Sequence, residues 1–168
     1  GDFSTRDRFT LSGFDADAVA AEYDVDVLVT ETTYGKPEYV FEPQDALEGR
    51  IVDWLTDGHD APVVLFGYTL GRAQELQHLV ARSDRERLFV TAAIERLNAI
   101  IEDAHGVDFR AARYGEEVTL GPGDALVLPA QTSKLSFVDR IVENTDAVTA
   151  GFSGWAVDDS FKYRGGYD

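Results

Sequence analysis

Cysteine and methionine are both missing from the 168 residues. Without cysteine there are no disulfides and no thiolate metal ligands. Without an initiating methionine, Gly1 is expected to be a fragment boundary or a processed end, and the first is the preferred expectation. No apolar run approaches the roughly 20 residues that a membrane span needs, and the N-terminus does not read as a signal peptide. Histidine is scarce as well. His59, His78 and His105 are far apart, with no second ligand at a recurring metal-site spacing. A Gly-x-Ser-x-Gly elbow and a Ser/His/Asp set are also missing. Lysine occurs only as Lys36, Lys134 and Lys162.

Acid dominates what remains. Fifteen Lys plus Arg stand against 31 Asp plus Glu, a formal net charge of −16. At low ionic strength that self-repulsion opposes compaction, and at molar salt the Debye length falls to about 3 Å and screens it. The charges are dispersed along a chain with 44% hydrophobic residues. This reads as a foldable domain rather than an acidic tail, and its acidic, lysine-poor surface is expected to be of the halophilic type, with an ordinary acidic domain as the alternative.

Apolar runs alternate with helical patterns. Val25 to Glu31 is β-branched and reads as a buried strand ending on an acid. Pro43 and Gln44 open a helix that Gly58 stops. Strands are expected near 26–31, 62–67, 87–91, 124–128 and 146–151, with helices following Gly71, Thr91 and Ser136. The expected fold class is α/β, a mostly parallel sheet with helices on both faces. Residues 106–123, broken by Gly106, Gly115, Gly121, Pro122 and Gly123, read as an edge hairpin or a small excursion.

Two segments invite a chemical reading. In Thr30-Glu31-Thr32-Thr33-Tyr34-Gly35, a carboxylate closes an expected parallel strand, the end at which open α/β sheets place ligands. Position alone leaves a catalytic and a capping role for Glu31 both open. In Phe66-Gly67-Tyr68-Thr69-Leu70-Gly71-Arg72-Ala73-Gln74-Glu75, a strand turns into a helix through glycine. Helix N-termini attract anions, and Arg72 adds a forked donor suited to phosphate. The ordinary alternative is a tight turn with a solvated arginine. It is not a Walker loop, because the Lys-Ser/Thr ending is missing.

Taken in order, these segments resemble the metallo-β-lactamase-fold β-CASP nucleases. Gly1-Asp2-Phe3-Ser4 is similar to the family's fourth metal-ligand motif. Asp26 to Gly35 resembles the segment ending in the first β-CASP motif. Tyr68 to Glu75 resembles its Leu-Gly-Arg/Lys-Ala-Gln stretch, and Phe152-Ser153-Gly154-Trp155 its Ser-Gly-Trp. The Glu38 to Gln44 and Ala93-Ile94-Glu95-Arg96-Leu97-Asn98 stretches look most like the branch of DNA-ligase-associated exonucleases and archaeal mRNA 3′-end processing factors. The family's upstream His-x-His-x-Asp-His motif and its two later histidine-bearing motifs are not in this sequence.

The resemblance implies residues 1–35 as the C-terminal part of a metallo-β-lactamase half and 36–168 as the β-CASP domain. It implies a cytoplasmic, zinc-dependent phosphodiester hydrolase whose two zinc ions activate water for attack on RNA or single-stranded DNA. Asp2 matches the aspartate that bridges the metals. Glu31 matches an acid that orients a histidine outside this sequence. Arg72, Gly71 and Tyr34 are placed on the substrate side. This stretch alone is expected to be inactive and to hold zinc poorly, since Asp2 by itself is an incomplete site. A non-catalytic scaffold or nucleic-acid-binding module is the alternative. An acidic surface binds a polyanion poorly through charge, so stacking on Tyr34, Tyr68 or Trp155 is a candidate contribution, although aromatic residues more often serve the core.

Overall fold

The computed structural model describes residues 4–9, 11–32, 35, 37–40, 42–58 and 60–153. The chain divides into two compact units, Gly1–Leu47 and Glu48–Asp168. The first carries helix α1 (Ala16–Glu22) and a short 3-10 turn, Pro37–Tyr39. Asp15 starts α1 as its N-cap, its carboxylate accepting from the amides of Asp17 and Ala18 at 3.0 Å. A bridge between Arg8 and Leu11 and the amide of Gly13 on Asp7 (2.7 Å) close the turn ahead of it.

Helix α2 (Gln44–Asp57) leads into the second unit. There β1 (Val63–Gly67), α3 (Arg72–Ala81), β2 (Arg87–Val90), α4 (Ala92–His105), β3 (Ala112–Arg113), β4 (Asp124–Pro129), α5 (Ser136–Thr145) and β5 (Val148–Gly151) follow in order. The five strands form one all-parallel sheet in the order β3-β2-β4-β1-β5. Side chains alternate across it as the two-residue period of a strand requires. Val63, Leu65, Leu88, Val90, Ala125 and Val127 face one side, where Leu55 of α2, Leu76 and Leu79 of α3 and Ile94 of α4 cover them. Val64, Phe66, Phe89, Leu126 and Leu128 face the other, under Val138 and Ile141 of α5. Both faces are buried along the central strands β1, β2 and β4, which are accordingly mostly apolar, as the sequence pattern predicts, whereas the edge strands β3 and β5 are exposed or half-buried.

Two strand expectations need correction. Residues 26–31 are not a strand, and Val27, Leu28 and Val29 are 77%, 65% and 80% exposed. The reason is positional. A strand exists only in a ladder, and β1, the next strand expected along the chain, is paired on both edges, by β4 and β5. The fifth strand is instead β3, two residues of the stretch read as a hairpin or excursion. It adds in parallel to β2, with Phe89 opposite Ala112.

Arg85 is the main polar tie at the amino edge of the sheet. It is 9% exposed, and its guanidinium donates to the carbonyls of Leu55 (2.8 Å), Ala61 (2.6 Å), Gly58 and Asp124 (3.4 Å). It thereby fastens the end of α2 to the starts of β1 and β4. Burial lowers its pKa from the usual arginine value, and the charge of Asp124 acts against that shift. Arg87 forms a forked pair with the carboxylate of Asp124 at 2.7 and 2.6 Å. Among the described residues no helix is long and apolar enough to cross a membrane.

Candidate functional site

Helix α3, which leaves β1, lies on one face of the sheet, and helix α5, which leaves β4, lies on the other. The two strands are adjacent, with Gly67 opposite Pro129. Their outgoing loops therefore diverge at the carboxyl ends. Such a switch point is where open α/β sheets form a ligand crevice. The segment leaving β1 is the turn Tyr68 to Arg72, and the segment leaving β4 is the 3-10 turn Ala130–Thr132 with Ser133, Lys134 and Leu135.

The β1–α3 turn is tightly built. Gly71 has φ +85°, a conformation that disfavours a side chain. A Cβ on Gly67 would lie 2.7 Å from Cγ of Arg72 and 3.1 Å from Leu76, so glycine there lets the arginine stem fold over the strand end. The amide of Ala73 donates to the carbonyl of Tyr68 (2.9 Å), that of Arg72 to Leu70 (3.2 Å), and that of Gly71 to Oε1 of Gln74 (2.7 Å). The Gln74 amide nitrogen donates to the Thr69 carbonyl at 3.3 Å and to Oδ1 of Asn98 at 3.1 Å. Asn98 donates in turn to Gln77 at 2.7 Å. Gln74, Gln77 and Asn98 are 2%, 1% and 4% exposed. These three buried amides satisfy one another and clamp the turn to α4.

Each predicted site residue can now be placed. Gly71 and Arg72 are where the sequence puts them, at the turn and the first residue of α3. Arg72 is ion-paired with Glu75 at 2.6 Å, with 24% of its side chain exposed. The anion attraction expected of this helix start is thereby reduced, because the amides of Gly71, Arg72 and Ala73 already have acceptors within the chain. Glu31 is half-buried and lies in the first unit, whereas Arg72 lies in the second. It does not end a strand of the sheet. Asp2, Tyr34 and Trp155 lie outside the described residues. Among the described residues no three His, Cys, Asp or Glu side chains gather as a metal site. His78 is half-buried on α3, and His105 ends α4 beside Gly106.

Tyr68 departs from the expectation of a core aromatic. It is 63% exposed, and Leu70 is 64% exposed beside it. A signal was available in the sequence, because Tyr68 follows the last strand residue and precedes a glycine-closed turn, where a side chain leaves the sheet. The buried partners Gln77 and Asn98 carried no comparable signal.

No family model matches the chain, and no solved structure matches it. The chain is 31% identical over 166 residues, 98% of its length, to a protein of Opitutus terrae (strain DSM 11246 / JCM 15787 / PB90-1) named "Probable DNA ligase". The chain spans only 15% of that relative's length, and the similarity runs through both of its compact units.

Proposed function

We propose that the chain is a substrate-facing part of a DNA-processing enzyme, and that the enzyme is the zinc-dependent nuclease its motifs resemble. The observation that carries this reading is the 31% identity along 98% of the chain to a segment of a protein named as a DNA ligase. The motif order independently resembles the ligase-associated branch of β-CASP nucleases. A nuclease segment joined to a ligase in one polypeptide accounts for both, and it favours DNA over RNA as substrate. The topological switch point at the carboxyl ends of β1 and β4 supports the placement of Gly71 and Arg72 on the substrate side. The described residues do not make up a zinc centre. Its histidines would come from outside them, with Asp2 as one further ligand and Glu31 orienting a histidine. A non-catalytic nucleic-acid-binding module is the second reading; in either case the Arg72–Glu75 pair offsets the cationic charge of the turn, so binding there would not be charge-driven.

The test is made on the longer protein that carries this sequence. Cleavage of end-labelled single-stranded DNA should require zinc and stop on chelation. Glu31→Gln should lower turnover by about 10- to 100-fold with zinc content and melting temperature unchanged. DNA binding without cleavage at full zinc loading would decide for the non-catalytic module.

A further inference from the structure

The exposed pair at the β1–α3 turn has a specific chemistry. Tyr68 presents an aromatic ring at 63% exposure, and Leu70 an apolar side chain at 64%. On the segment leaving β4, Leu135 is 48% exposed and follows Lys134. Tyr68 and Leu70 stand two residues apart on one turn at the switch point of the sheet, the end at which open α/β sheets bind ligands. The backbone beneath Tyr68 and Leu70 is immobilised at both ends. The Tyr68 carbonyl accepts from Ala73, the Leu70 carbonyl from Arg72, and Gln74 holds Thr69 and Gly71. A ring carried on a turn already fixed in this way loses little further freedom when something stacks on it.

The charge of the chain narrows the occupant. At a net charge of −16 a polyanion gains little from long-range attraction, and Glu75 already balances Arg72. A nucleic acid held here must be held through its bases, whose flat faces an exposed aromatic ring can cover regardless of sequence. We infer that Tyr68, supported by Leu70, is a base-stacking platform for single-stranded nucleic acid at the carboxyl edge of the sheet. This rests on the DNA-processing reading above and adds the subsite and the means of contact.

The experiment measures affinity of the 168-residue chain for an oligothymidylate and for an abasic strand of equal length, at fixed salt. Tyr68→Ala should weaken oligothymidylate binding on the order of tenfold and leave abasic binding unchanged. Tyr68→Phe should keep wild-type affinity, because stacking uses the ring and not the hydroxyl. Equal losses for both strands would mean a backbone contact and overturn the platform. Unchanged oligothymidylate affinity in Tyr68→Ala would overturn it too, while leaving the DNA-processing reading standing. Failure of the wild-type chain to bind either strand would overturn both. Tyr68 is exposed, so circular dichroism of Tyr68→Ala should match wild type.

Discussion

Arg85 sits in a charge-rich link, Ser83-Asp84-Arg85-Glu86-Arg87, where nothing in the sequence separates it from Arg87. In the fold one guanidinium is buried among carbonyls, and the other reaches outward to grip Asp124 with 56% of its side chain exposed. Legibility fails here because burial is decided by which strand start lies beneath a residue, a long-range fact. The buried carbonyl of Leu55 and the partly buried carbonyls of Gly58 and Ala61 accept from Arg85, so its removal takes that donor from all three. Arg85→Met should lower unfolding free energy by about 3 kcal/mol in urea denaturation. Arg96→Met, on an exposed face of α4, should stay within about 0.5 kcal/mol of wild type. Equal stabilities for the two variants would show that Arg85 is not the tie described. Site residues divide in the same way. Gly71 and Arg72 were legible because a glycine-closed turn after an apolar run fixes its own geometry. The clamp from Asn98 was not legible, since it joins residues on different helices.

Among the elements, continuous apolar runs translated directly into β1, β2 and β4, because a strand covered on both faces has no polar period to hide it. Helix boundaries followed their caps. Thr91 accepts from Ile94 at the start of α4, and Gly106 ends it in the left-handed region at φ +65°. The two misplaced strands share one cause. Strand identity depends on an available partner edge, which propensity does not record. Val25 to Glu31 has the propensity and no ladder, whereas Ala112–Arg113 has little propensity and gains a ladder from the open edge of β2. The resulting sheet turns two loops apart at one point, and that point, rather than the expected end of a strand at Glu31, carries the exposed Tyr68.

At the scale of the whole molecule, the acidic excess and the choice of binding edge are linked. A chain of net charge −16 repels itself at low ionic strength, and raising salt from about 0.1 M to 1 M shortens the Debye length from about 10 Å to about 3 Å. The melting temperature should therefore rise across that range of KCl, and a flat or falling curve would remove charge repulsion as a governing term. The same screening leaves stacking in place while it weakens phosphate contacts, so the proposed DNA contact is expected to be local and aromatic. That localisation is open to direct mapping by backbone amide chemical shifts during titration of the chain with an oligothymidylate. The account predicts perturbations concentrated at Tyr68 to Ala73 and Ala130 to Leu135. Perturbations centred on Arg85, Arg87 and the amino edge of the sheet, or none at saturating oligonucleotide, would contradict it.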